Sequence, residues 1–522
     1  MCEIRENAMQ KKQFQQNMKD KVRVFEDGGI RLLKRGQKGV VHAIFSRFGL
    51  VLVLLLLQAF ALFSLLQWLG ELLPHYFGGT LLVTAAMMVY LLNQDMDNSV
   101  RITWLVVTAL MPVLGVPLLV MEFSVGRASH RSTARSFNAL EPRGSKWHWF
   151  KWFTLVGNYV LMMFYTSVCG WMVAYLFKTG IGTFDGTHDI PTVFSSMIGD
   201  PVEMAGWMLL VTLVGFAICA AGVQKGVERI TKVMMAALFV LMAVLCVHSC
   251  LLEGGQEGLA FYLLPNFDNL FNNPSASFAE ILYAAMSQAF FMLSVGIGGM
   301  SIFGSYIGRD NKLTGEAVRI AGMDTLVAIM AGLIIFPACF AYGVAPDAGP
   351  DLVFLTLPAV FEQMPLGQLW GTIFFLCMAF AALSTVIAVF ENILRFSMDQ
   401  WDVTRKRAVA INGPLLALLS LPCVLGFSVW SGMQIPGIGD IQSLEDFLVS
   451  NNFLVLGALV FALFCTRRSG WGWKNFLAEA NEGEGMAYPK FLYVWTRYGV
   501  PLLIIVIFVA GWVPKITFWL NM

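Results

Sequence analysis

Apolar residues run in long blocks along this chain, separated by shorter polar stretches. The blocks fall at about 48–69, 78–93, 102–123, 152–178, 204–222, 230–252, 278–304, 318–342, 366–396, 408–429, 446–465 and 491–513. A helix of roughly 18 to 20 apolar residues spans the hydrocarbon core of a bilayer. The pattern therefore predicts an all-α, polytopic membrane protein with about twelve apolar helices. An outer-membrane barrel would alternate polar and apolar residues instead, and that alternation is absent.

The block at 278–304 breaks its own pattern. Gly296, Gly298 and Gly299 cluster there, with Ser294 beside them. Glycine frees the backbone where a membrane helix unwinds to line a cavity, so a broken helix is expected over about 287–304.

Loop charge sets the orientation, because cytoplasmic loops carry the excess of Lys and Arg. Loops 126–151, 223–232, 305–319, 397–407 and 466–490 are basic, through residues such as Arg127, Arg131, Arg135, Lys151, Arg229, Arg309, Arg405 and Arg467. The loops between them are neutral or acidic, with Asp185, Asp189, Asp200 and Glu203 as examples. From residue 126 onward the alternation is clean. Upstream it is not. Residues 1–43 form a basic leader expected in the cytoplasm, yet three apolar segments separate it from the basic loop at 126–151, and an odd number of crossings cannot join two cytoplasmic segments. The expectation is that one of the first two segments is imperfectly inserted.

Composition agrees with the membrane reading. Apolar types make up 57% of the chain and charged types 13%, too few to clothe a soluble protein of 522 residues. A net charge of +1 says nothing about partners, and no nucleic-acid partner is expected. Most of the nine cysteines lie inside apolar runs, as small core residues do. The polar leader does not have the form of a cleavable signal.

Several residues inside the apolar blocks carry chemistry. Asp324 places a carboxylate several residues into a membrane segment, which is costly and usually functional. The bland alternative is a helix-start residue near the cytoplasm. Ala381, Ser384 and Thr385 sit at i, i+3 and i+4, on one helix face. Their oxygens could hold a hard cation, although hydroxyls on membrane helices more often bond their own i−4 carbonyl. Tyr165 could simply pack and find one acceptor. Phe290 and Phe291 could be core packing, but a packing helix does not need the adjacent glycines.

Order and sequence together give a resemblance. P-L-L-V-M-E-F-S-V-G-R (Pro117 to Arg127), G-V-Q-K-G-V-E-R (Gly222 to Arg229), G-G-Q-E-G-L (Gly254 to Leu259), L-P-N-F (Leu264 to Phe267), S-Q-A-F-F-M-L-S-V-G-I-G-G-M (Ser287 to Met300), M-D-T-L-V-A (Met323 to Ala328), A-A-L-S-T-V (Ala381 to Val386) and R-Y-G-V-P (Arg497 to Pro501) follow one another in the order of the neurotransmitter:sodium symporter family. The resemblance covers about 117–522. It implies an inverted-repeat fold with a substrate site at mid-membrane, where helix ends face a carboxylate and freed carbonyls hold cations. It makes Tyr165 the hydroxyl for the substrate carboxylate and Phe291 the aromatic lid, with Ser294, Ile297, Thr385 and Val389 lining the pocket. Sodium would be held by Met292 through its carbonyl, Asp324, Ala381, Ser384 and Thr385. Ala328 stands where chloride-dependent members carry serine, so no chloride requirement is expected. Glu122 and Asp446 are expected as buried acids of a gate or internal network, and Asp399 as the acid of the cytoplasmic gate.

The front of the chain is similar to something else. S-R-F-G-L-V-L-V-L-L-L-L-Q (Ser46 to Gln58), Y-L-L-N-Q-D (Tyr90 to Asp95) and I-T-W-L-V-V-T-A-L-M-P-V-L-G (Ile102 to Gly115) resemble the membrane region ahead of a bacterial cardiolipin synthase. That family's chemistry needs two H-x-K-x₄-D motifs, and no histidine here is followed two residues later by Lys. An enzyme is therefore not expected. The symporter family's first helix carries an N-x-W-R-F-P-like run that supplies ligands to both sodium sites and the carboxylate clamp, and no segment of residues 1–116 has it. Three parts result: a leader over 1–43, cardiolipin-synthase-like segments over 44–115, and a symporter-like domain over 116–522.

The expected function is sodium-coupled uptake of a small amino acid across the cytoplasmic membrane, with sodium as coupling ion, no other cofactor, and membrane lipid around it. The apolar lining suits an aliphatic or aromatic substrate better than a charged one. The alternative is a transport-inactive chimera in which the front segments replace the first helix. The sequence leaves a homodimer open.

Overall fold

The computed structural model describes residues 114–184, 189–263, 290–344 and 350–521, all within one compact unit. The leader, the apolar segments at 48–69 and 78–93, the cardiolipin-synthase-like stretch over 44–113, Asp185, the L-P-N-F run and Ser287 to Ala289 lie outside the described residues.

Helices dominate. In chain order they are α1 (Val116–Ser129), α2 (Thr133–Leu140), α3 (Phe150–Gly180), α4 (Ile190–Gly199), α5 (Pro201–Ala220), α6 (Arg229–Cys250), α7 (Gly255–Leu263), α8 (Gly299–Tyr306), α9 (Leu313–Ala341), α10 (Leu357–Gln363), α11 (Gly367–Trp401), α12 (Arg405–Gly426), α13 (Ile441–Leu448), α14 (Leu454–Thr466), α15 (Trp473–Ala480) and α16 (Val500–Leu520). Among the described residues the only β pairing is two isolated bridges, Asn311 with Glu484 and Ile435 with Gly439. Among the described residues eight helical stretches are long and apolar enough to cross a membrane: Trp147–Gly180, Pro201–Ala220, Gly226–Cys250, Leu313–Ala341, Gly367–Trp401, Arg405–Gly426, Ile441–Thr466 and Lys490–Leu520. Each coincides with an apolar block of the sequence.

Aspartates cap the helices that start in the acidic loops. Asp200 Oδ1 accepts from Val202 N–H at 2.8 Å ahead of Pro201, Asp189 Oδ1 from Thr192 N–H at 3.3 Å, and Asp440 Oδ1 from Ser443 N–H at 2.7 Å. A capping carboxylate satisfies amides that a helix start leaves unpaired.

Close backbone approach shapes the centre. A Cβ on Gly126 of α1 would sit 1.7 Å from the Ser301 carbonyl oxygen of α8, and one on Gly304 would sit 2.5 Å from that of Phe123. Small residues at a helix interface replace the hydrophobic drive that lipid cannot supply. Three apolar clusters form around this centre: one links α1 with α14 and α16, one links α3, α6, α9 and α11, and one joins α3, α5, α11 and α12.

The loops assigned to one side by their charge do meet. Trp147 Nε1 donates to Ser469 O at 2.7 Å, Lys312 N–H to Glu484 O at 2.9 Å, and Arg405 Nη1 to Cys219 O at 2.9 Å. One loop cation belongs elsewhere. Arg127, counted among the charges of the 126–151 loop, lies on the last turn of α1 and is fully buried. Its Nε donates to Glu479 Oε1 at 2.7 Å, its Nη1 to Asn311 O at 2.7 Å, and its Nη2 to Glu479 O. Helix α1 runs two residues past it, which carries the side chain into the protein instead of into a loop.

Candidate functional site

The expected interruption is present. Helical backbone at Phe290–Leu293 gives way at Ser294 and resumes at Gly299. Ser294, Gly296 and Gly298 take φ values of 50°, 107° and 79°. Such angles are strained for side-chain-bearing residues, and Ser294 is one of only four described non-glycine residues that adopt them. Gly296 has a second reason to be glycine, since a Cβ there would lie 2.1 Å from the Leu454 carbonyl oxygen of α14. The approach is mutual: a Cβ on Gly457 would lie 2.0 Å from Gly296 O.

Polar side chains hold the freed backbone. Glu122, buried on α1, accepts from Gly296 N–H at 3.0 Å through Oε2. Asn158 of α3 donates from Nδ2 to Ile297 O at 2.9 Å, and Asn392 of α11 donates from its own Nδ2 to Asn158 Oδ1 at 2.7 Å. A backbone break within an apolar layer must be satisfied by the protein, and these three residues do it from three helices. Sequence reasoning singled out Glu122 but missed both asparagines. The signal was available: each is a polar residue inside an apolar block.

The residues assigned to the pocket converge. Ile297 is buried in the cluster shared by α3, α5, α11 and α12, and Tyr165, Phe291 and Val389 pack against that cluster half-buried. The Tyr165 and Thr385 hydroxyls interact. Ser294 is half-buried on the turn itself and donates weakly to Phe291 O at 3.5 Å. Ala381 O accepts from Ser384 Oγ at 2.7 Å and from Thr385 Oγ1 at 3.4 Å, so three oxygens gather on one face of α11. The hydroxyls take the local carbonyl, as membrane hydroxyls often do.

Met292 is half-buried beside the break. Asp324 lies twelve positions into α9, half-buried, and among the described residues nothing hydrogen-bonds or ion-pairs with it, Ala381 and Ser384 included. Its neighbours Leu326 and Val327 share an apolar cluster with Ala381.

The acids at the two ends separate. Asp399 is buried near the end of α11, where its Oδ2 accepts from Ser132 N–H at 2.8 Å and its Oδ1 lies 3.6 Å from Arg395 Nε. Asp446, expected to be buried, is exposed and accepts from Ser450 Oγ at 2.9 Å. Its neighbour Glu445 is the buried acid, with Oε2 unpartnered. One residue along a helix turns the side chain by about 100°, so consecutive acids on α13 face opposite environments. A further acid went unflagged by sequence. Glu391, buried on α11, receives a bidentate contact from Arg405 at 2.6 and 2.7 Å, with Tyr306 Oη 3.5 Å away.

Long apolar helices, with a break in helical backbone at Ser294–Gly298 beside a tyrosine, aromatics and clustered oxygens, define a helical membrane protein. Comparison with known proteins takes this further. The model of the Sodium:neurotransmitter symporter family matches residues 192–517. The chain is 34% identical over 401 residues to an uncharacterised sodium-dependent transporter of Bacillus subtilis (strain 168), covering 76% of this chain and 86% of that one. It is 30% identical over 416 residues to another from Haemophilus influenzae, covering 77% and 88%. Its fold matches the crystal structure of MhsT in complex with L-phenylalanine with a TM-score of 0.70 at 32% identity, covering 81% of this chain and 94% of that one. The chain belongs to the sodium:neurotransmitter symporter family, whose members compared here are transporters and not enzymes.

Proposed function

We propose that this protein carries a small amino acid with an aliphatic or aromatic side chain across the cytoplasmic membrane, driven by sodium. The observation that carries the reading is the interrupted segment at Ser294–Gly298, set beside Tyr165 and the oxygens of Ala381, Ser384 and Thr385. Tyr165 donates its hydroxyl to the substrate carboxylate. Phe291, Ile297 and Val389 surround an apolar side chain, with Ser294 on the turn and Thr385 beside the tyrosine. L-phenylalanine in MhsT, a relative at 32% identity, supports that substrate class.

Sodium travels as co-substrate. It is a hard cation that takes oxygen donors, and the groups on offer are the carboxylate of Asp324, the carbonyls of Met292 and Ala381, and the hydroxyls of Ser384 and Thr385. Binding would turn the two hydroxyls from their local carbonyl toward the ion. Glu122 and Asp399 act as internal supports of the break and of the cytoplasmic end, and Asp446 stands exposed where an outer gate residue could act.

Uptake of radiolabelled phenylalanine, leucine and alanine into proteoliposomes, with and without an inward sodium gradient, tests the proposal. Absence of gradient-dependent uptake for every amino acid sinks it. A second reading rests on one sequence observation: residues 1–116 carry no N-x-W-R-F-P-like run. On that reading a cardiolipin-synthase-like front part has displaced the first helix, and the chain is a transport-inactive membrane protein. Millimolar sodium should then leave thermal stability and ligand binding unchanged.

A further inference from the structure

Beside the Asp399 contact lies a groove that transport does not use. It has a volume of about 380 Å³ and is lined by Arg131, Arg135, Asn138, Lys151 and Gln400 among others. Three cations face it, and little neutralises them. Arg131 is exposed, and its guanidinium has no ion pair or hydrogen bond among the described residues. Among the described residues Lys151 Nζ hydrogen-bonds a neutral oxygen, Gln400 Oε1, at 3.0 Å and forms no ion pair. Arg135 pairs with Asp402 at 2.8 Å, but that carboxylate's side chain is 77% exposed. Such a pair holds weakly and exchanges readily for a better anion.

The surroundings say which anion. Trp149, Trp152 and Trp401 are 64%, 38% and 52% exposed. Lys151 Nζ sits 5.3 Å above the Trp152 ring, and the Trp152 and Trp401 rings lie 6.5 Å apart. Lys151 and Trp152 stand at the start of the membrane-length stretch Trp147–Gly180. Exposed indoles at the end of a spanning helix mark the headgroup level of a bilayer, and cations at that level recognise acidic headgroups. A soluble phosphate would need the cations but has no use for the tryptophans.

We propose that this groove binds the headgroup of an anionic phospholipid, with Arg131, Arg135 and Lys151 on the phosphate and Trp152 and Trp401 against the adjoining glycerol and acyl region. The site bears on the cytoplasmic end of the transporter. Ser132, whose amide bonds Asp399, opens helix α2, and Arg135 lies on its first turn. A bound headgroup therefore clamps α2 to the end of α11 through Lys151 and Gln400.

The full chain, purified and stripped of lipid in detergent, is titrated with short-chain phosphatidylglycerol or phosphatidylcholine, and retained lipid is counted by native mass spectrometry. Wild type should retain one more phosphatidylglycerol than R131Q/K151Q, whose apparent affinity should fall roughly 30-fold. Phosphatidylcholine should show no difference. A second variant, R229Q/K232Q, removes the same charge from the first turn of α6 and should bind as wild type does. Equal retention by wild type and R131Q/K151Q overturns the proposal, as does an equal loss in both variants. Displacement of phosphatidylglycerol by an equal concentration of inorganic phosphate also overturns it, because the site would then be one for soluble anions. None of these readouts depends on whether the protein transports.

Discussion

Two regions of this molecule treat polar groups in opposite ways. At the ends of α1 and α11, buried charges are engaged: Arg127 is matched by Glu479 and backbone carbonyls, Arg405 by Glu391, and Asp399 by the Ser132 amide. By contrast, Asp324 on α9 has no hydrogen bond or ion pair among the described residues, and the Ser384 and Thr385 hydroxyls settle for a carbonyl of their own helix. A charge buried away from water must be paired. The first region ties distant parts of the chain together, whereas the second spends its polar groups locally.

That contrast can be broken most forcefully at Arg127. Arg127→Met leaves Glu479 without its cation and should lower stability by about 3–5 kcal/mol, as expected when one member of a buried pair is removed; thermal unfolding in detergent reads it. At the boundary between the regions, Gly296→Ala forces a Cβ into the Leu454 backbone at a φ of 107°. Uptake should vanish and stability should fall by about 1–3 kcal/mol. Asp324→Asn sharpens the difference. With no partner to lose among the described residues, stability should change by less than about 1 kcal/mol, while the sodium concentration for half-maximal uptake should rise on the order of tenfold. Equal damage to stability from Asp324→Asn and Arg127→Met would show that the two regions are not distinct.

The smallest effect lies in the loop after α2. Burial works against the Glu141 carboxylate, but hydrogen bonds from Ser145 Oγ at 2.6 Å and from the His148 ring at 2.6 Å prevail and hold its carboxyl below the usual carboxylate range. A depressed folded value means that the contribution is present at neutral pH and lost as pH falls through that lowered value. Glu141→Gln should therefore cost no more than about 1 kcal/mol at neutral pH, and its difference from wild type should disappear under acid, as followed by chemical unfolding.

The spanning helices were legible because membrane length and hydropathy are local properties. The break was legible because Ser294, Gly296 and Gly298 lie within five consecutive residues. Pairing was not. Arg127 and Glu479 are separated by 352 positions, and nothing in either neighbourhood names the other, so Arg127 passed for a solvated loop charge. Asp446 and Glu445 show a different limit: a sequence lists two acids side by side, and only the phase of α13 decides which one faces the interior. Asn158 and Asn392 were overlooked because a lone uncharged amide in an apolar block carries no sign of its partner, although their hydrogen bonds help make the unwound turn tolerable.

The mutual contact of Gly296 and Gly457 has a consequence for genetics. Neither position has an atom left to give up, so damage at one cannot be repaired by trimming the other. A suppressor screen begun from Gly457→Ala should return revertants at codon 457 or shifts in distant packing, and none at codon 296. The two loci would behave in such a screen as a single one.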